Sequence, residues 1–254
     1  VQNKGVSMKI LLASPRGFCA GVNMAIESLE LSLQAFGTPL YVFHEIVHNQ
    51  YVVEHFQRQG VIFVEQLDDV PEGSNLLFSA HGVSPEVRHI ARQRRLNAID
   101  ATCPLVTKVH HEVKRMASQG FDIIYVGHEG HDEAVGTVAE APQAVTLVDP
   151  RVGMDHFSAA SDEKVALVAQ TTLGMYEWEG VLDEARGRYP DLWTARRSDL
   201  CYATTNRQSA VQRLAEDATL VLVVGSENSS NTQALVRVAS NAGAEAHQIG
   251  RAHV

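Results

Sequence analysis

Three cysteines stand in this 254-residue sequence, Cys19, Cys103 and Cys201. Each comes just before a run with helical spacing. After Cys19, apolar Val22, Ile26, Leu29, Leu33 and Phe36 recur on one face until Gly37 and Pro39 stop the pattern. After Cys103, Pro104 suits a first helical turn, and Val106, Val109, Val113 and Met116 form the stripe that ends at Gly120. After Cys201, Val211, Leu214 and Ala218 keep the same spacing. A thiol at a helix start meets unpaired backbone N–H groups and the positive end of the helix dipole, and both favour a thiolate. Three such thiolates suit an iron–sulfur cluster with one iron left open. The competing reading of each is a buried, inert cysteine. No CxxC pair is present for a zinc site, and an odd count argues against a disulfide framework.

The elements that must position these groups are legible as alternation. KILLA (9–13), PLYVFHEIVHN, NLLFSAHGVS, DIIYVGHEGHDE, VALVAQTTLG and TLVLVVGSENSSN are apolar runs that end in small polar residues or histidine. Unbroken apolar strands alternating with helices predict an α/β fold with parallel sheets covered on both faces. Ligands gather at the carboxyl ends of such strands. The donors there are His, Ser, Thr and Asn, which suits a phosphate held by neutral hydrogen bonds and helix N-termini. Gly82, Gly127 and Gly225 are expected to let backbone approach a ligand. HEIVH, His44 to His48, matches a zinc-protease pattern, but a strand leads into it and the pattern needs a helix.

A formal net charge of −9 argues against a nucleic-acid partner. The RQRR cluster, Arg92 to Arg95, reads as a solvated helix face or as a dock for an acidic electron donor. No apolar run approaches the roughly 18 residues that span a bilayer, and the first residues lack the pattern of a signal peptide. The expectation is a cytoplasmic protein without a membrane partner, with Met8 as its natural start.

PRGFCAGV, HEIVHN, FSAHGVS, DATCPLVTKVH, GHEGHDE, QTTL, CYATTNRQ and GSENSSN occur in this order. Together they resemble the 4-hydroxy-3-methylbut-2-enyl diphosphate reductase family of the non-mevalonate isoprenoid pathway, from about Met8 to Gln248. The resemblance implies three small α/β domains with mainly parallel sheets in a pseudo-threefold arrangement around a central cavity. The expected bounds are 8–102, 103–198 and 199–248, the third incomplete. It implies a [4Fe–4S] cluster on Cys19, Cys103 and Cys201, with the substrate hydroxyl at the open iron. It assigns the diphosphate to His48, His81, His131, Ser229, Ser230 and Asn231, the substrate hydroxyl to Thr171, and proton transfer to Glu133. Without the resemblance, Glu133 reads as a solvated loop carboxylate. His44 and His128 are expected to support the structure. Electrons would come from a donor such as a ferredoxin or flavodoxin.

Departures from the family pattern also stand out. Asn23-Met24 replaces a common Asp-Arg, and Glu227 replaces a common lysine before NSSN. Family members continue well past this chain's last residue, and that tail supplies a further serine to the diphosphate. The final IGRAHV, Ile249 to Val254, matches one reading frame of a sequencing adapter and is expected to be foreign. Rival readings are a quinolinate synthase-like enzyme, a cluster-sensing redox protein, and a diphosphate-binding module with incidental cysteines.

Overall fold

Helical spacing after each cysteine and apolar runs between them give three parallel sheets. The computed structural model describes residues 9–195 and 199–250. The expected start at Met8, the boundary at residue 198 and most of the IGRAHV tail lie outside the described residues.

The first sheet follows α1 (Ala20–Phe36). It contains β1 (Leu40–Phe43), α2 (Gln50–Gln57), β2 (Val61–Val64), β3 (Asn75–Phe78), α3 (Pro85–Gln93) and β4 (Asn97–Asp100). Its strand order is β2-β1-β3-β4, and every pair is parallel. The second sheet follows α4 (Pro104–Ser118). It contains β5 (Asp122–Val126), α5 (Asp132–Val138), β6 (Val145–Val148), β7 (Val165–Ala169), α6 (Met175–Arg188) and β8 (Trp193–Thr194). The order β6-β5-β7-β8 repeats that of the first, again all parallel. After α7 (Tyr202–Asp217), β9 (Leu220–Val224) and β10 (Glu245–Ile249) flank α8 (Ser230–Asn241) and pair in parallel.

This topology decides where a site can form. In each four-stranded sheet the order reverses between two central strands, β1 and β3 in the first, β5 and β7 in the second. The chains leaving those strands diverge to opposite faces and open a crevice at the carboxyl ends. The turns leaving these strands carry His44 to His48, Ser79 to His81, His128 to Glu133 and Gln170 to Thr172.

Burial follows the pleat. In β7, Val165, Leu167 and Ala169 face one core while Ala166 and Val168 face the other, as a strand covered on both faces requires. The α4 stripe is fully inside, with Val106, Val109, Val113 and Met116 buried. Other expectations need correction. Phe36 is half exposed and does not complete the α1 stripe. KILLA forms no strand; it runs beside the third core without ladder partners, with Ile10 74% and Leu12 69% exposed. In β9 only Val221 and Val223 are covered, while Leu220, Leu222 and Val224 are exposed, so this strand is covered on one face.

Within the arginine cluster Arg94 is structural, while Arg92 and Arg95 are exposed. Arg94 turns inward to donate to the carbonyls of Leu67 and Val70, and Arg95 pairs with Glu72 at 3.0 Å. No helix among the described residues is long and apolar enough to cross a membrane.

Leu167 is fully buried and Leu222 is 54% exposed. Leu167→Ala is expected to cost about 3 kcal/mol, and Leu222→Ala under about 1 kcal/mol. Comparison of the two thermal midpoints checks this.

Candidate active site

The three cysteines occupy equivalent positions, each the residue capping a helix N-terminus: Cys19 for α1, Cys103 for α4 and Cys201 for α7. Backbone bonds fix the last two. Cys103 N–H donates to Ala80 O at 2.9 Å, and Cys201 N–H donates to Thr171 O at 2.8 Å. The Cys19 sulfur accepts from Val22 N–H at 3.4 Å. All three are partly exposed and line one cavity of about 1240 Å³. The sulfurs of Cys19 and Cys103 meet over Gly21, where a Cβ would lie 2.7 Å from Cys103 Sγ and 3.9 Å from Cys19 Sγ. Burial pushes the Cys103 thiol up, the nearby Cys19 and Cys201 add to this, and the N–H groups of Leu105 and Val106 oppose it. The lack of a Cβ at Gly21 gives the Cys103 sulfur its place against α1, and three soft donors lining one cavity could hold a metal cluster.

Three histidines crowd the same cavity. His48 and His81 stack at 3.9 Å, and His131 stands edge-on to them at 5.0 and 5.8 Å. His131 caps α5, its Nδ1 accepting from Glu133 N–H at 3.1 Å. Burial, then the neighbouring His48, pulls His131 down to about 4. Burial and the other two imidazoles hold His81 well below its ordinary value. Both rings are therefore neutral near pH 7. With Nδ1 accepting, neutral His131 carries its hydrogen on Nε2 and offers an N–H.

A carboxylate that the sequence reading did not assign stands beside them. Asp132 accepts from His44 Nδ1 at 2.8 Å and lies 3.8 Å from His81 and 4.0 Å from His48. Burial would raise it, but the His44 bond and the neighbouring imidazoles hold it at about 2. His48 Nδ1 meets Glu45, leaving its Nε2 buried without a hydrogen-bond partner. His48, His81 and Asp132 offer ligand atoms within 4.8 Å of one another. Yet rings stacked 15° from parallel cannot both aim in-plane lone pairs at a single ion, which argues against a metal on these three. HEIVH forms no helix, which removes the zinc-protease geometry.

Glu133 is not a solvated loop carboxylate. It is 2% exposed, on the first turn of α5. Its Oε1 accepts from Thr171 N–H at 2.6 Å and its Oε2 from Thr171 Oγ1 at 2.9 Å. Burial raises it to about 7, against the lowering effect of both Thr171 bonds. It is therefore a carboxyl able to hold or release a proton near neutrality, in the wall that also holds the cysteines.

The NSSN segment enters from the third sheet. Ser229 caps α8 through Thr232 N–H. Ser230 lines the cavity, but its hydroxyl bonds Gln170 and His128, each at 3.3 Å. Asn231 gives its amide oxygen to Arg207. Arg207, inside the quoted CYATTNRQ, was not assigned; its only sequence signal was a cation on the Cys201 helix. Of the three glycines expected near a ligand, Gly225 lines the cavity, while Gly82 and Gly127 do not. A Cβ at Gly82 would meet His110, at Gly127 would meet Tyr125 and Gln170, and at Gly225 would meet Thr232. Protein side chains fill those spaces, so the close approach they permit is internal packing. Glu227 is exposed and, like Asn23 and Met24, does not line the cavity. His44 and His128 hold Asp132 and Glu177 respectively.

A buried carboxyl with a raised pKa stabilises the fold only while neutral. That contribution is full below the ordinary value of 4.5 and lost as pH rises through about 7. The wild-type melting temperature should therefore fall across this window relative to Glu133→Gln and then level off. Thermal scans at a series of pH values check this; a pH-independent difference would mean that Glu133 is already ionised throughout.

The family model described as LytB protein matches residues 10–254. A protein of Rhodopirellula baltica named 4-hydroxy-3-methylbut-2-enyl diphosphate reductase is 54% identical over 239 residues, 94% of this chain and 75% of that one. One of the same name from Acidothermus cellulolyticus is 51% identical, covering 94% of this chain and 70% of its own length. The solved E-1-hydroxy-2-methyl-but-2-enyl-4-diphosphate reductase of Plasmodium falciparum superposes with a TM-score of 0.90 at 41% identity, covering 93% of this chain and 74% of that chain. With these motifs, this cavity and these relatives, the chain belongs to the LytB family.

Proposed function

We propose that the protein reduces 4-hydroxy-3-methylbut-2-enyl diphosphate to isopentenyl and dimethylallyl diphosphate, the last step of the non-mevalonate isoprenoid pathway. The reaction breaks the allylic C–O bond, and two electrons and two protons turn it into a C–H bond and water. The observation that carries the reading is the juxtaposition in one cavity of three helix-capping cysteines, three crowded imidazoles and a carboxyl pushed up to about 7.

Cys19, Cys103 and Cys201 would hold a [4Fe–4S] cluster. Three free, partly exposed thiols lining one cavity fit such a group. When bound, the cluster supplies electrons and a Lewis-acidic iron for the hydroxyl. Glu133 holds the proton that converts the departing oxygen to water, and Thr171 Oγ1, 2.9 Å from Glu133, aligns it. His48, His81 and His131 receive the diphosphate together with Ser229, Ser230 and Asn231. For Ser230 this requires its hydroxyl to leave Gln170 or His128. The pair His44–Asp132 stands behind His48 and His81, with Asp132 4.0 and 3.8 Å from them. The division 8–102, 103–198 and 199–248 is supported by one sheet in each span. We assign the protein to the cytoplasm, with electrons from a small acidic carrier such as a ferredoxin or flavodoxin, and no nucleic-acid partner.

Anaerobic reconstitution followed by iron and sulfide quantification should give near four iron per chain. Electron paramagnetic resonance should show a reduced-cluster spectrum altered by substrate. No iron after careful reconstitution would return the cysteines to structure and defeat the proposal. Glu133→Gln should lower kcat by about 10²- to 10⁴-fold with iron content unchanged. Steady-state turnover alongside iron analysis reads both.

A further inference from the structure

Arg207 reaches from α7 to two other parts of the cavity wall, at Asn231 and Gly17. Its Nε and Nη2 donate to the same atom, Asn231 Oδ1, at 3.1 and 3.0 Å. Nη2 also approaches Thr204 Oγ1 at 3.4 Å, and Nη1 approaches the carbonyl of Gly17, two residues before Cys19, at 3.4 Å. The guanidinium is half-buried, and both it and Asn231 line the cavity.

A guanidinium has donors and no acceptor. The amide group turned toward it must therefore be the oxygen, and the NH₂ must point elsewhere. Among the described residues, Asn231 Nδ2 meets no protein acceptor. Asn231 lies in the first turn of α8, where backbone N–H groups are also unpaired. An unrestrained amide would turn either way, and its oxygen would repel a diphosphate as readily as its NH₂ would bind one. Two bonds onto one oxygen remove that freedom.

We propose that Arg207 is a positioning residue that locks the Asn231 amide with its NH₂ toward the bound diphosphate. This rests on the function proposed above and goes beyond it, because it locates affinity in a side chain that acts through another. The alternative is that Arg207 contributes only its positive charge. Arg207→Lys separates the two, since lysine keeps the charge and loses the fork that grips one oxygen from two nitrogens.

The test is a double-mutant cycle on the iron–sulfur-loaded protein, with inorganic diphosphate titrated calorimetrically and substrate turnover measured in parallel. Arg207→Lys should weaken diphosphate binding and raise KM by about tenfold, with kcat and iron content within about twofold of wild type. Asn231→Ala should lose at least as much, and adding Arg207→Lys to it should cost nothing further. Arg207→Lys binding as wild type does, or losses that multiply in the double variant, would overturn the role. If Arg207→Lys yields no folded protein, Arg207→Gln enters the same cycle and is read by the same non-additivity. A wild-type protein that binds diphosphate while the cycle is additive defeats the Arg207 role alone. A wild-type protein that does not bind diphosphate defeats the site reading, and the inference with it.

Discussion

The Glu133 carboxyl has nowhere to go but Thr171. Buried in the wall between α5 and the end of β7, it takes the backbone N–H of Thr171 on one oxygen and the hydroxyl on the other. A buried carboxyl without such partners would cost several kcal/mol, so this pairing constrains both elements. The consequence runs further, because the carbonyl of Thr171 accepts the N–H of Cys201. The Glu133 carboxyl, Thr171 and the Cys201 backbone therefore stand in one hydrogen-bonded series. Its first two members come from the diverging turns of β5 and β7, and its last from the start of α7.

A second link ties the same region from outside. Asp199, 1% exposed and two residues before Cys201, receives Lys108 at 3.2 Å from α4, the helix that Cys103 caps. The helices beginning at Cys103 and Cys201 are thus joined across 91 residues of chain. Cys103 is in turn anchored by its N–H to Ala80, whose own N–H donates to Ile46. Bonds of this kind fix where the sulfurs stand, which neither strand nor helix propensity could do.

Electrostatics around the three crowded histidines come from burial more than from charge. His81 and His131 are held neutral because desolvation and their neighbours oppose protonation. Asp132 stays ionised beside them, bonded to His44. The three imidazoles therefore form no fixed cationic clamp, and local burial outweighs the protein's overall negative charge there.

Local pattern along the chain is enough for the helices after Cys19, Cys103 and Cys201 and the strands at 40–43, 75–78, 122–126, 165–169 and 220–224. Apolar periodicity and capping residues are local properties of the chain. It also placed the histidines and Glu133 at strand ends, where a parallel fold gathers ligands. Only the tertiary structure decided what those residues meet. KILLA reads as a strand, but a strand exists only where another backbone pairs with it, and here none does. Gly82 and Gly127 read as room for a ligand, yet neither lines the cavity, and His110 and Gln170 take that room. Ser230 turns to Gln170 and His128, Arg207 grips Asn231, and Glu133 is buried rather than solvated. Each of these contacts spans tens of residues. Spacing along the chain encodes which face a residue occupies, while the partner across the gap is set by how separate sheets and helices pack.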